Sequence, residues 1–248
     1  MKNLIVLMAL LLSVCEFSIA QNALEIIQKA DAKNRGNSSR AEMSMTIVRT
    51  GWQRTVKMKT WSKGNDYFMI LITYPENEKG QVFMKRGKEM WNWIPKIERM
   101  VKIPSSMMMQ SWMGSDFTND DLVQQSSIVK DYNHKLLGSE KVREEECWKI
   151  ELTPKPDATV VWGKIIIWIT KSGYDVWKTQ YFDEDFELVS TENASNIKKM
   201  GDRSIPTRME IIPADKPNQK TILEIISIEF NINISESFFT QQNMKIVK

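Results

Sequence analysis

The residues able to do chemistry are few and badly placed for it. One histidine, His134, stands between Asn133 and Lys135 in a polar stretch. A zinc site built on two histidines cannot be assembled within such a chain, and a Ser/His/Asp triad would have to use that one residue. Acids gather three times, at Asp116/Asp120/Asp121, Glu144/Glu145/Glu146 and Asp183/Glu184/Asp185. A paired-carboxylate hydrolase needs two such groups across a cleft, one with a raised pKa. All three groups fall instead at turns or helix starts, where acids cap helices and keep the surface soluble. No glycine-rich phosphate loop, G-x-S-x-G elbow or C-x-x-C pair occurs. The expectation is no catalytic residue, no metal and no cofactor; a secreted hydrolase using Asp116 and Asp120 is the remaining catalytic alternative.

The positive signal is apolar. Sixteen methionines and nine tryptophans occur in 248 residues. Methionine is unbranched and polarisable and suits variable apolar partners. Tryptophan joins a large apolar body to one donor, which suits the wall of a greasy pocket with a wet mouth. The signal peaks between Lys85 and Leu122. There Trp91 and Trp93 precede a run in which six of the eleven residues from Met107 to Phe117 are large and apolar. That is too many for one face of a short helix, so some must meet a ligand, a partner or the inside of a sheet. Trp168 and Trp177, in ordinary strands, fit core and pocket wall equally.

The elements that must carry these residues are mostly strands. Residues 21–35 read as one amphipathic helix, with Ala23, Leu24, Ile27 and Ala30 about a turn apart. Beyond Gly36 the period becomes two. Ala41, Met43, Met45 and Ile47 alternate with polar residues, and Trp52, Val56 and Met58 do so in the partner strand. Residues 67–73 (YFMILIT) are apolar on both faces, which predicts cover on both and a central place in the sheet. Further strands are expected over 82–84, 89–94, 99–103, 133–137, 147–152, 164–170, 176–182, 187–196, 205–212 and 221–230. Ser105–Gln125 interrupts the pattern, with Ser105 capping a short helix over the methionines and Gly114 breaking it. No linker or repeat divides the chain. The fold class is mainly β (α+β): an incomplete antiparallel barrel of about eleven strands with short helices as a lid over its concave face.

The first residues read as an address. Lys2, an apolar run from Leu4 to Val14, and Ser18-Ile19-Ala20 form a cleavable signal peptide over residues 1–20. Residues 21–248 are then one domain. Lipidation at Cys15 is the rival reading, which Val14 disfavours because a small residue is wanted before a lipidated cysteine. After cleavage Cys147 is the remaining cysteine, so stability must come from burial. A net charge of +3, scattered among acids, gives no footprint for nucleic acid.

Several stretches resemble one family, the periplasmic lipoprotein carriers of the LolA type and their longer relatives, the outer-membrane lipoprotein-sorting proteins. They are Gly87–Pro95 (GKEMWNWIP), Arg99–Ile103, Ser111–Phe117 (SWMGSDF) with Asp120-Asp121-Leu122, Trp162-Gly163-Lys164, Tyr181–Asp185, and Phe238-Phe239-Thr240. The resemblance implies a LolA/LolB-like half-barrel that binds acyl chains of lipoproteins or other lipids in the periplasm and passes them towards the outer membrane, without enzymatic activity. It implies a monomer working with an inner-membrane transporter of ABC or RND type and an outer-membrane acceptor. A protein-interaction or sensor module on the same fold is the alternative. The expected pocket and lid lining is Met43, Met45, Met58, Met69, Leu71, Trp91, Trp93, Met107, Met108, Met109, Trp112, Met113, Phe117 and Trp168. In the short carriers an arginine controls the lid; Lys63 occupies that region here, without the guanidinium fork. Gly114 is the expected lid hinge.

Overall fold

A computed structural model describes residues 23–119, 121, 127–156, 158 and 160–248. The expected leader over 1–20, with Cys15, and also Asp120 and Leu122 lie outside them.

Helix α1 spans 23–35. Its apolar spacing puts Ala23, Ile26, Ile27 and Ala30 on one face, each at most 2% exposed. Gly36, at φ +65°, ends it. Thirteen strands follow: β1 Ser38–Arg49, β2 Trp52–Lys63, β3 Tyr67–Tyr74, β4 Val82–Arg86, β5 Glu89–Ile94, β6 Arg99–Ile103, β7 Tyr132–Val142, β8 Glu145–Pro154, β9 Lys164–Thr170, β10 Val176–Phe182, β11 Leu188–Met200, β12 Arg203–Pro213 and β13 Lys220–Phe230. Each corresponds to a stretch expected from the sequence, the short β4, β5 and β6 included, so the described residues carry thirteen strands where the barrel was expected to have about eleven.

All belong to one antiparallel sheet in the order β6-β5-β4-β3-β2-β1-β13-β12-β11-β10-β9-β8-β7. Every neighbour pair but one is consecutive in sequence. The exception joins the first strand to the last, through ten registered positions from Ser39–Phe230 to Val48–Lys220. The free edges are therefore β6 and β7, and the connection 104–131 runs between them. The barrel stays open at that seam. Register shifts at Glu42/Met43, Lys57/Met58, Leu136/Gly138 and Tyr181/Phe182 add local bends.

Alternation then assigns the faces. On the concave side, α1 packs on Ile150, Leu152, Ile165, Ile167 and Ile169, while Met45, Ile47, Val56, Met58, Ile70, Ile72, Phe83 and Met90 form a second cluster under Trp112. On the convex side, Met69, Leu71, Val82 and Met84 are covered by the C-terminal tail through Phe239 and Met244. Helix α2, Gln241–Met244, is capped by Thr240, whose hydroxyl accepts from the Asn243 N–H at 3.2 Å. Phe239 is fully buried, with Tyr67 at 5.4 Å between ring centroids. The two-faced apolar run in β3 is thus covered twice, though β3 is fourth from an edge rather than central.

The expected helix after Ser105 is replaced by two 3-10 turns, Ser105–Met107 and Trp112–Gly114. Pro104 and the left-handed pair Met113 (φ +53°) and Gly114 (φ +74°) leave too few consecutive residues for an α-helix.

Phe239→Ala removes the side chain that seals the convex cluster. The expected cost is about 3–5 kcal/mol, read as a lowered urea midpoint. A change under about 1 kcal/mol would show that the tail contributes little to the fold.

Candidate functional site

The described residues do not fill the concave face. A cavity of about 390 Å³ remains between α1, the lid segment and strands from both halves of the sheet. This size is in the range of small-molecule sites. Its wall is mainly aliphatic and sulfur-bearing: Ile165, Ile167 and Ile169 from β9, Ile205, Met209 and Ile211 from β12, Leu223 and Ile225 from β13, Met43 and Met45 from β1, Met58 from β2. Strand alternation puts them there, since every second residue of each strand faces inward.

The sequence-predicted residues divide by face. Met43, Met45, Met58, Trp112 and Phe117 line the cavity. Met108 and Met113 pack on the concave cluster beside it without lining it. Met69, Leu71, Trp91 and Trp93 lie on the convex face under the C-terminal tail. Trp168 is also convex, beneath Lys149 and Lys178, whose ammonium groups lie 5.1 and 4.5 Å from its ring centroid. Met107 and Met109 are 39% and 58% exposed and do not line the cavity. The β9, β12 and β13 lining was not singled out from the sequence. Its signal was the run KIIIWIT, whose three inward isoleucines are separated by Ile166 and Trp168 on the other face.

Two arginines hold the lid. Asp116 receives Arg49 Nη2 on Oδ1 at 3.0 Å and Arg49 Nη1 on Oδ2 at 3.1 Å, a bidentate pair of two largely buried side chains. The Thr221 hydroxyl donates to the same Oδ2 at 2.6 Å and accepts from the Asp116 N–H at 2.9 Å. Arg49 also donates to the Gly114 carbonyl at 3.0 Å, and Arg54, paired with Glu78, donates to the Met113 carbonyl at 3.2 Å. So the residues flanking Gly114 are clamped to the ends of β1, β2 and β13. Lys63, by contrast, donates to the Ile234 carbonyl at 3.0 Å and ties down the C-terminal tail. Asp121 closes a capping box: its Oδ2 accepts from the Thr118 N–H at 2.7 Å, and the Thr118 hydroxyl accepts from the Asp121 N–H at 3.1 Å. The expected capping role therefore belongs to Asp121, while Asp116 is an ion-pair partner.

Polar groups also line the cavity at its two rims. Beside the turns at either side of β3 and β4, Lys85 is buried and donates to the Asn65 carbonyl at 2.7 Å, and Arg35 pairs with Asp31 at 2.6 Å. Near the lid stand Glu192, Tyr181, Asp121 and Trp162. Gly163 makes this possible, because a Cβ there would sit 2.2 Å from the Asp183 carbonyl oxygen. The close approach stacks Trp162 near Tyr181, at 5.1 Å, and lets its indole donate to Asp121 Oδ1 at 3.2 Å. Desolvation, with the nearby Asp121 charge, pushes Glu192 up from 4.5 to about 7. Burial also raises Asp121, opposed by its Thr118 and Trp162 bonds, and raises Tyr181 well above its ordinary value.

The two other reactive groups do not line the cavity. His134 donates Nε2 to the Ile128 carbonyl at 2.7 Å, and burial lowers its pKa. Cys147 is buried on the convex side, where desolvation pushes its thiol up to about 11. Among the described residues no group of three or more His, Cys, Asp or Glu side chains could hold a metal, and no helix is long and apolar enough to cross a membrane.

An open antiparallel sheet around an apolar cavity, with a clamped lid, is the LolA-like architecture. The fold matches a DUF1329 family protein from Desulfovibrio piger, 22% identical, at TM-score 0.83 over 91% of this chain and 99% of that one. It matches a domain described as an outer membrane lipoprotein-sorting protein from Vibrio parahaemolyticus, 24% identical, at 0.80 over 91% and 99%. A LolA superfamily protein from Nitrosomonas europaea, 22% identical, matches at 0.77 over 89% and 98%. Comparison with curated proteins gives no match. A family model described as "uncharacterized protein" matches residues 64–246, and the chain belongs to that family.

The Glu192 shift has a pH signature. Its folded-state pKa lies above its unfolded value, so the folded state holds the proton more tightly between pH 4.5 and about 7. The stability is present below that window and is lost as pH rises through it. The expected loss from this group is about 1–3 kcal/mol. Glu192→Gln should flatten the fall in denaturant midpoint between pH 5 and 8 and raise the midpoint at pH 8; an unchanged profile would place the carboxyl in a wetter setting.

Proposed function

We propose that this chain is a periplasmic carrier that holds acyl chains of lipids or lipoproteins in the concave cavity and passes them towards the outer membrane. The observation that carries this reading is the unfilled apolar cavity, in a core where side chains otherwise pack closely. It is supported by the fold shared with lipoprotein-sorting proteins and by the cleavable signal peptide read from the sequence over residues 1–20. An inner-membrane transporter and an outer-membrane acceptor are the partners such a cycle needs.

Binding in this picture is the sum of many weak contacts, about 0.8 kcal/mol per buried CH₂. Release requires the lid to lift, and the Arg49–Asp116–Thr221 clamp is its latch. No proton or electron has to move, so the chain is a binding protein and not an enzyme.

The main test is native mass spectrometry with lipid identification on gently purified protein, which should carry heterogeneous acyl lipid. Protein that comes out empty and takes up no fatty-acyl probe after delipidation overturns the carrier reading and favours a protein-binding module. Met43 is half-buried and lines the cavity, so Met43→Trp should fill part of it. Loss of room for about two methylenes, ~1.6 kcal/mol, predicts roughly fifteen-fold weaker probe binding with the fold retained. Asp116→Asn should speed probe dissociation about tenfold or more by breaking the bidentate pair; an unchanged rate would show that the clamp is not the latch.

A further inference from the structure

The charged residues lining the cavity are not evenly spread. Its cations, Arg35 and Lys85, sit at the rim away from the lid. At the lid-side rim the lining charges are acidic: Asp116, Asp121 and Glu192. Two of the three are satisfied. Asp116 is held by Arg49 and Thr221, and Asp121 accepts from the Thr118 N–H and the Trp162 indole.

Glu192 differs. It projects from β11 opposite Thr179 of β10 and Ile211 of β12, both of which also line the cavity. Its carboxyl makes no hydrogen bond and no ion pair with any described residue, and the charge that acts on it is another acid, Asp121. A half-buried carboxyl facing an aliphatic cavity without a partner is costly, and purely apolar cargo would not need it. An aliphatic residue at this strand position would extend the greasy wall at no such cost.

We propose that Glu192 is the polar subsite of the cavity and that it takes the protonated amine of an amino-bearing amphiphile, whose alkyl part lies along the aliphatic wall. This rests on the carrier reading above and narrows its cargo. An ammonium supplies what the site lacks: a cation with several donors, able to pair with Glu192 in a low-dielectric wall where such a bond is stronger than in water. Asp121 beside it adds attraction for a cation and repulsion for an anion. A fatty acid placed head-first here would face two carboxylates and no base. A neutral alcohol could share one hydrogen bond but would gain no charge pairing.

The test compares dodecylamine, dodecanol and dodecanoate, each below its aggregation concentration, by displacement of a fluorescent acyl probe from delipidated protein at pH 8. Wild-type protein should bind dodecylamine at least about tenfold more tightly than dodecanoate. Glu192→Gln, which keeps the shape and removes the charge, should bring the two within about twofold and leave dodecanol unchanged. The variant should fold, because it removes a desolvated acid rather than a partnered one, and its denaturant midpoint checks this. If wild-type protein binds all three equally or prefers dodecanoate, or if the variant keeps the amine preference, the amine subsite is wrong while the carrier reading stands. If none of the three displaces the probe and no probe binds, the carrier reading itself fails.

Discussion

An apolar sheet face exposed to water must be covered, and a strongly curved sheet has two such faces of unequal area. Here the convex face is closed by the chain itself, with Phe239 and Met244 from the tail and lysine stems over Trp168. The concave face is larger than its cover. Helix α1 spans the β8–β9 side and Trp112 and Phe117 reach the β1–β4 side, and between them a volume is left that no described side chain fills. The remaining features follow from that mismatch: an open seam, a lid, and a wall of adaptable side chains.

The seam and the lid are one consequence of topology. Because the first strand pairs with the last, the break in the sheet falls between β6 and β7, where the chain makes its longest connection. A segment crossing a seam has no ladder to hold it, so its position depends on side chains. Arg49 and Arg54 project from the ends of β1 and β2 and bond to Gly114, Asp116 and Met113. Such a hold is strong but local. It involves side chains at strand ends and leaves the sheet's ladder pairing untouched.

Much of the framework could be read from the chain. Period two over most of its length, short turns such as Thr50-Gly51, and a leading amphipathic segment gave the strands, the helix and their antiparallel pairing. The lid was legible as the one long break in that pattern. The faces were harder. In β3 and β9 apolar residues occupy successive positions, so parity carries no signal, and Met69, Leu71 and Trp168 could be placed on either side. They fall on the convex face, covered by a tail and by lysines that are distant in sequence. Trp91 and Trp93 follow for the same reason. The acids misled differently: Asp116 and Asp121 stand five residues apart beside one turn, yet one pairs with Arg49 and the other caps a turn.

The sequence by itself determined a mainly β chain with one long interruption and an excess of large apolar side chains, because composition and periodicity are local properties. Only the tertiary structure decided which apolar residues meet the cavity and which meet the tail, that Arg49 bonds to Gly114 and Asp116 while Lys63 bonds to the tail at Ile234, and that Glu192 stands on an aliphatic wall without a partner among the described residues. Those outcomes depend on which strand edges meet and where a curved sheet leaves space. That is set by pairings between β1 and β13 and across β10 to β12, between residues that can lie far apart in the chain, and no window along the sequence contains it.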